Sequence, residues 1–229
     1  MNSWDCFDTL VARRHYQPNT VFDDMAKKLS LRNFTQRRKA AEFRSPHNLD
    51  SIYEELAKDY EWTNSLKEFY KNQEIIFEVD HCCPINENIS RVEDGDIIVS
   101  DMYLPASAIE KILRKNGLTK DVKIFVSHNG KASGSIWKDL PSIDLHIGDN
   151  PNSDIASAKN FGIETELSTL HLPTDLENSM YRDLSLLCRA VRLACPYQKD
   201  SRAYGFWLDQ AQTNIPILIL ASLELPDDD

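Results

Sequence analysis

The spacing of apolar residues divides the chain into a short opening segment, a helical stretch, a mixed stretch and a helical tail. The opening segment, with Trp4 and Cys6-Phe7 leading into Thr9–Ala12, predicts a brief strand and a turn. From about Gln17 to Cys83, apolar residues recur every three or four positions and glycine is absent. This spacing places them on one face of a helix, so it predicts a helical bundle.

From about Pro84 to Leu170 the pattern changes to short apolar runs that alternate with helical segments. We predict strands at Ile97–Val99, Lys123–Val126 and Leu145–Ile147, and helices at Pro105–Lys115, Ser135–Leu140 and Ser153–Phe161. Strands that are apolar throughout and separated by helices predict a parallel sheet that is covered on both faces.

After Pro173 the pattern is helical again, with predicted helices at Asp175–Ala194 and, beyond Pro196, at Arg202–Leu225 with an interruption at Pro216. The predicted fold class is therefore α/β, with a Rossmann-like parallel-sheet core, a helical insert and a helical C-terminal extension. We assign residues 1–16 and 84–171 to the core, 17–83 to the insert and 172–229 to the extension.

Composition narrows the function classes. The 229 residues include 26 basic and 36 acidic side chains, a formal net charge of -10, which argues against nucleic acid as a partner but not against a small phosphorylated substrate. Five scattered cysteines do not resemble a disulfide framework, and no signal-peptide pattern opens the chain. The apolar run Ile215–Leu225 is too short to span a membrane. We therefore expect a soluble cytoplasmic protein.

Polar residues follow each predicted strand, at the sheet edge where ligands of such folds bind. They include Asp5, Ser100, Lys131 and Asp149. A carboxylate can act as a nucleophile and form a covalent intermediate. Converging carboxylates are the ligands that Mg²⁺ takes together with phosphate oxygens, and serine and lysine can hold a phosphoryl group. This set predicts phosphoryl-transfer or related hydrolytic chemistry.

The ordered motifs resemble those of the haloacid dehalogenase-like (HAD) hydrolase superfamily, over about residues 1–170. They are Asp5-x-Phe-Asp-Thr-Leu10, Val99-Ser100-Asp101, Lys131 and Gly148-Asp149-x-x-x-x-Asp154. Each motif alone is weakly specific, but the ordered set is specific. The helical insert resembles the small cap domain of that superfamily. The sequence segments around Phe7 and Met102 resemble those of a subgroup of hydrolases, some of which are attached to polysaccharide-building glycosyltransferases.

The resemblance implies a role for each motif residue. Asp5 would be the nucleophile, and Ser100 and Lys131 would hold the phosphoryl group. Mg²⁺ would be bound by Asp5, the backbone carbonyl of Phe7, Asp149 and Asp154, with Asp154 as a ligand or a support for the ligands. Residues beside the motifs are candidate substrate contacts: Asp8, Thr9, Arg13, Asp101 and His128.

Two features depart from the family pattern. Phosphatases of the superfamily carry a general-acid aspartate two positions after the nucleophile, where this chain has Phe7, and its dehalogenases carry an aromatic residue there. In addition, only four residues precede Asp5, where the family has a full strand. A general acid contributes about 10²–10⁴-fold, and phosphate monoester hydrolysis is accelerated by up to about 10²¹-fold, so the missing acid does not exclude a phosphatase.

Three functions are therefore open. The first is a Mg²⁺-dependent phosphatase that acts on a small phosphorylated metabolite through an aspartyl-phosphate on Asp5. The second is a dehalogenase-like hydrolase of carbon–halogen bonds, favoured by Phe7. The third is a weakly active binding module with a protein partner on the C-terminal helices.

The six histidines show no paired metal-ligand spacing, and His81-Cys82-Cys83 lacks a second Cys-x-x-C. The sequence therefore favours a core or hinge role for His81 over a zinc site.

Overall fold

The computed structural model describes residues 1–15, 19–197 and 201–223. The chain is mixed α/β, with a parallel five-stranded sheet in the order β5-β4-β1-β6-β7 and an antiparallel pair of β2 with β3. The predicted parallel sheet is confirmed. The strands are β1 (Asn2–Trp4), β2 (Val11–Arg13), β3 (Cys82–Pro84), β4 (Ile97–Asp101), β5 (Lys123–Ser127), β6 (Leu145–Gly148) and β7 (Glu164–Leu167).

Helices surround the sheet and form most of the remaining described chain. They are α1 (Asn19–Lys28), α2 (Phe34–Arg44), α3 (Leu49–Tyr60), α4 (Asn64–His81), α5 (Asn86–Ile89), α6 (Ala106–Lys115), α7 (Gly130–Ser133), α8 (Ile136–Asp139), α9 (Ser157–Lys159), α10 (Asp175–Asn178), α11 (Arg182–Leu193), α12 (Arg202–Asp209) and α13 (Ile215–Leu223). Two π-helical turns, Pro151–Ala156 and Gln210–Asn214, precede α9 and α13.

Strand β1 is only three residues long, yet it lies at the centre of the sheet and pairs on both sides. Trp4 is in register with Ile98 of β4 and with Ile147 of β6. These three side chains belong to one hydrophobic cluster that continues into α1, α3 and α6. Ile97 and Val99 contribute to a second cluster with residues of α8 and α9. Apolar packing on both faces explains why Ile97, Ile98 and Val99 of β4 are all apolar.

The insert consists of α1–α4, and it leaves and rejoins the core through neighbouring strands. Ala12 of β2 is in register with Cys83 of β3, so the two connections lie side by side and form a two-stranded hinge. Within the insert, Arg38 and Glu74 form a buried ion pair with a nitrogen–oxygen distance of 2.8 Å. The helical character predicted for this stretch is confirmed, whereas the predicted boundary between residues 16 and 17 lies outside the described residues.

Several predicted elements differ from the observed ones. The predicted helix Ser135–Leu140 is reduced to α8, and Ser153–Phe161 is a π-helical turn followed by the three-residue α9. Strand β7 was not predicted, because its polar residues Glu164 and Glu166 form no apolar run. Pairing with β6 at the sheet edge determines this strand instead.

The helical tail also differs in detail. The predicted helix Asp175–Ala194 is two helices, because a capping box between Thr174 and Glu177 begins a short α10 that ends before α11. Pro216 is the second residue of α13, and the regular α-helix is interrupted just before it by the π-helical turn Gln210–Asn214. The predicted helix end at Leu225 lies outside the described residues. Within the described ranges, no helix has the length and apolar character needed to cross a membrane.

Candidate active site

The candidate site lies where the order of the sheet reverses. The chain proceeds from β1 to β4 and β5 on one side and later adds β6 and β7 on the other. Connections that leave on opposite sides open a crevice at the carboxyl ends of the central strands, where α/β folds bind ligands. Asp5 follows β1 and Asp149 follows β6, so both face this crevice. The resulting cleft has a volume of about 360 Å³.

Lys131 links two carboxylates at the bottom of the cleft. Its Nζ donates a hydrogen bond to Asp5 Oδ1 and a second one, of 2.6 Å, to Asp154 Oδ1. All three side chains are buried, with Asp5 only 6% exposed and Lys131 only 3% exposed. Because so little water reaches this ion pair, the loss of either partner would leave a buried charge unpaired and destabilise the folded protein.

The environment separates the three acidic groups by their pKa values. Burial raises the pKa of Asp5 to about 6, although the Lys131 ammonium opposes the rise. Burial, followed by the charges of Asp5 and Asp8, raises the pKa of Asp149 to about 7. Burial alone would raise the pKa of Asp154, but the hydrogen bond from His146 and the charge of Lys131 lower it to about 2. Asp154 and Lys131 therefore form the permanently charged pair.

Asp5, Asp149 and Asp154 fit a divalent cation. One carboxylate oxygen from each lies within 4.8 Å of the others. Oxygens on one Mg²⁺ are at most about 4.2 Å apart, so small side-chain rotations would bring the three to one ion. With Lys131, the three ionised carboxylates carry a formal charge of about −2, which a divalent ion would balance. The Asp149 carboxylate makes no hydrogen bond or ion pair with any residue that the structure describes, so it is available to bind a cation.

The Phe7 carbonyl fits the same role. The turn after β1 is closed by hydrogen bonds from Val11 N to Cys6 O, at 3.0 Å, and from Asp8 N to Val11 O, at 2.6 Å. Neither bond uses the Phe7 carbonyl, and Phe7 lines the cleft. Asp8 adopts a left-handed conformation with φ of 59°, which an aspartate tolerates better than most residues.

A tight turn after β6 holds Asp154 in place. Asn150 N donates to Asp154 Oδ2 at 3.0 Å, and Asn150 itself caps the π-helical turn. A Cβ atom on Gly148 would lie 2.4 Å from the Asp154 carboxyl carbon, so any larger residue would displace this side chain. Glycine is therefore required here by the close approach of the Asp154 carboxylate.

Asp101 lines the cleft and also holds Lys131 in position. Its carboxylate accepts hydrogen bonds from the backbone N–H of Lys131 at 2.9 Å and from Ser127 Oγ at 2.5 Å. Ser100, the preceding residue at the end of β4, is 2% exposed and lines the cleft. The predicted residues Ser100, Asp101 and Lys131 thus meet at one side of the cleft, with Asp101 as a support for Lys131.

Arg13 reaches the cleft from the hinge. Its guanidinium lies 4.2 Å from the centroid of the Phe7 ring and is held by a two-point ion pair with Glu78 of α4, at 3.0 and 3.2 Å. Asp8 lines the same side, and Arg189 of α11 lies 3.7 Å from its carboxylate. The residues that line the cleft belong to the core, and Glu78 of the insert and Arg189 of α11 contact two of them, Arg13 and Asp8.

Two candidate substrate contacts are not brought to this cleft. Thr9 is fully buried behind the turn, because the left-handed Asp8 redirects the chain, and its carbonyl accepts a hydrogen bond from Asn88. His128 follows the edge strand β5 and packs against His47, with ring centroids 6.0 Å apart, in a separate groove.

Sequence reasoning missed the buried support of the site. His146 lies between Ser3 and Asp154, with Ser3 Oγ 2.7 Å from its Nδ1 and Asp154 Oδ1 3.4 Å from its Nε2. Because a carboxylate only accepts, Nε2–H donates to Asp154 and the serine hydroxyl donates to Nδ1. The available signal was a histidine inside the apolar run Leu145–Ile147.

The assembled groups are suited to attack on an electrophilic centre of an anionic substrate, with a buried ammonium and a hydroxyl to hold the anion. No protein-family model matches the chain, and no curated protein matches it either. The chemistry of the cleft is therefore the observation from which a function follows.

Proposed function

We propose that this protein is a Mg²⁺-dependent HAD-like hydrolase that removes phosphate from a small phosphorylated metabolite. The observation that carries the proposal is the convergence of Asp5, Asp149 and Lys131 in one cleft at the carboxyl ends of the central strands. In this proposal the sheet is the HAD-like core and α1–α4 form the cap domain.

Asp5, Asp149 and the Phe7 carbonyl would bind the metal ion, with Asp154 beside them. When bound, the ion supplies positive charge that brings the substrate phosphate and the carboxylates together. Asp154 shares its oxygens with Lys131, His146 and Asn150, so it also keeps the Lys131 ammonium in place.

In the first step, the Asp5 carboxylate attacks phosphorus and the bond from phosphorus to the ester oxygen breaks, which gives an aspartyl-phosphate. The departing alkoxide takes its proton from water, because Phe7 stands where the general acid would be. Water then attacks phosphorus, releases inorganic phosphate and restores the carboxylate. Lys131 and Ser100 stabilise the negative charge on the transferring group in a site with little water. Lys131 does so from a fixed position, because Asp101 holds its backbone and Asp154 its ammonium.

Arg13 is placed to bind a second anionic group of the substrate. Its pairing with Glu78 of the insert keeps the guanidinium directed at the cleft and joins the proposed cap to the hinge. A substrate with a phosphate and a further carboxylate or phosphate fits this arrangement, because arginine binds such groups through two parallel hydrogen bonds.

Two other functions remain alternatives. The aromatic Phe7 favours a dehalogenase-like hydrolase, in which Asp5 would attack carbon and halide would leave without a metal ion. Exposed apolar side chains on the C-terminal helices, among them Phe206, Ile217 and Leu218, favour a binding module with a protein partner. The three carboxylates and the raised pKa of Asp149 favour a cation site, which neither alternative requires.

A screen of phosphorylated and halogenated compounds, with and without Mg²⁺, tests the proposal. We expect phosphate release that requires Mg²⁺, disappears with EDTA and is lost in Asp5→Asn, while the circular dichroism spectrum of that variant matches the wild type. Asp121→Asn, an exposed aspartate away from the cleft, serves as the control and should keep full activity.

Each contrary result points to a specific alternative. Halide release that survives EDTA would replace the phosphatase by the dehalogenase. Full phosphatase activity in Asp5→Asn would exclude the aspartyl-phosphate. The absence of turnover over the whole panel, with stable association through residues 174–225, would favour the binding module.

A further inference from the structure

A second group of metal-ligating side chains lies at the hinge of the insert, outside the cleft. His15 follows β2, Asp24 lies on α1, and His81 is the last residue of α4. One ligand atom from each lies within 4.8 Å of the others. All three residues are partly exposed.

The hydrogen bonds of His81 determine which of its nitrogen atoms is available. Nδ1 lies 2.7 Å from the Phe77 carbonyl, which can only accept, so Nδ1 carries the proton. In neutral His81 the Nε2 atom then has no proton and can only accept a hydrogen bond. It lies 2.7 Å from Asp24 Oδ2, which is also an acceptor. Two acceptors at this distance need a positive charge between or on them, supplied by a proton or by a metal ion.

The same geometry is typical of metal-binding histidines. Such a histidine donates its other N–H to a backbone carbonyl or a carboxylate, which fixes the ring and directs the free nitrogen at the metal. The Phe77 ring also packs against the His81 ring, with centroids 5.9 Å apart. His81 is therefore held with Nε2 directed at Asp24 before any ligand arrives.

A proton alone would account for His81 and Asp24 but not for His15. The His15 ring lies with its centroid 5.9 Å from that of His81, and its side chain makes no hydrogen bond with the described residues. Two imidazoles beside one carboxylate would repel each other if both were protonated. Two neutral imidazoles and a carboxylate are the donor set of zinc and other first-row divalent ions.

We infer that His15, Asp24 and His81 form a binding site for a first-row divalent metal ion of the zinc class. Ligand atoms lie about 2.0–2.2 Å from zinc, which places them about 3.3 Å apart, so small side-chain rotations bring the three groups to one ion. Water would complete the coordination of the ion as a fourth ligand. This inference does not depend on the function proposed for the cleft.

Because of its position, a metal ion at this site would connect the hinge to the insert. His15 and His81 follow and precede the paired strands β2 and β3, and Asp24 belongs to the first helix of the insert. An ion bound to all three would tie both connections of the insert to α1. Ion binding only to the folded chain stabilises it by RT ln(1 + [L]/Kd), so zinc should raise the stability of the hinge region.

Zinc titration calorimetry in an Asp149→Asn background tests the inference, because that substitution weakens the carboxylate site in the cleft. We expect one zinc ion to bind per chain. His15→Gln and Asp24→Asn should each weaken this binding at least about tenfold, as losses at metal sites do. His47→Gln is the matched control, since His47 also packs against a second histidine, His128, but belongs to no cluster of three ligands among the described residues.

His15→Gln is the decisive variant, because it removes no hydrogen bond to the part of the chain that the structure describes and leaves the His81–Asp24 contact intact. Chemical denaturation with and without zinc provides a second measurement, and the zinc-dependent gain in stability should be absent in His15→Gln and present in His47→Gln. Failure of the Asp149→Asn protein to bind zinc, or zinc binding unchanged by His15→Gln, would overturn the inference and leave His81 and Asp24 as an ion pair.

Discussion

Lys131 Nζ lies 2.6 Å from Asp154 Oδ1, and both groups are buried and charged. The charges of Asp5 and Asp154 outweigh burial and raise the pKa of Lys131 above its ordinary value. Among the described residues, this ammonium is the only side-chain cation within hydrogen-bonding reach of the two carboxylates, because burial lowers the pKa of His146 and leaves its imidazole neutral. Its loss would leave buried negative charge without compensation.

Lys131→Met should therefore destabilise the protein by about 3–5 kcal/mol when no divalent ion is present, the usual cost of breaking a buried ion pair. Chemical denaturation in EDTA measures the loss. Lys120→Met is the control, since Lys120 pairs with Glu93 at 3.3 Å on the surface and its loss should cost about 0–1 kcal/mol. Equal losses in the two variants would contradict the structural role given to Lys131.

The raised pKa values of Asp5 and Asp149 predict a dependence of stability on pH. The folded protein holds these protons up to about pH 6 and about pH 7, whereas the ordinary value is 3.8. Between these limits the unfolded chain binds fewer protons, so the free energy of unfolding should fall as pH rises from about 4 to about 7. Below that window the contribution is fully present.

Asp149→Asn tests this dependence. In EDTA the variant should lose less stability than the wild type between about pH 5 and about pH 8, because one of the two raised groups is gone. Mg²⁺ should stabilise the wild type at the higher pH and the variant much less. Denaturation curves at both pH values, with Mg²⁺ and with EDTA, measure these differences, and identical pH profiles would show that Asp149 does not titrate in this range.

The strands around the site were predictable because burial on both faces requires apolar residues at every position. Ile97–Val99 meets this requirement, and Leu145–Ile147 meets it except at His146. The polar residues that follow the two runs, Ser100 and Asp149, were predicted to line one edge. Strand β7 was missed because an edge strand is stabilised by its pairing with β6 more than by its own composition.

The sequence did not predict the parts of the site that depend on the direction of the backbone or on contacts between residues far apart in the chain. The left-handed φ of 59° at Asp8 turns Thr9 into the core, and a residue pattern does not specify that angle. The buried chain from Ser3 through His146 to Asp154 joins two strands that are far apart in sequence. The hinge group of His15, Asp24 and His81 has no regular spacing for the same reason.

Phe7 occupies the position at which the resemblance places a general acid, so restoring the acid is the sharpest test of the proposed reaction. In Phe7→Asp the new carboxyl group would lie near Arg13, which now packs on the Phe7 ring at 4.2 Å. A general acid contributes about 10²–10⁴-fold, mainly for alcohols that leave with difficulty. We expect Phe7→Asp to hydrolyse alkyl phosphates at least about tenfold faster than Phe7→Asn, which has the same shape without the acid. On aryl phosphates, whose leaving groups need no proton, the two variants should react at similar rates.

The comparison with Phe7→Asn separates the effect of the acid from the loss of the ring, because both variants remove the contact with Arg13. Steady-state rates for the two substrate classes measure the effect, and equal alkyl phosphate rates in Phe7→Asp and Phe7→Asn would mean that protonation of the leaving group does not limit the proposed reaction.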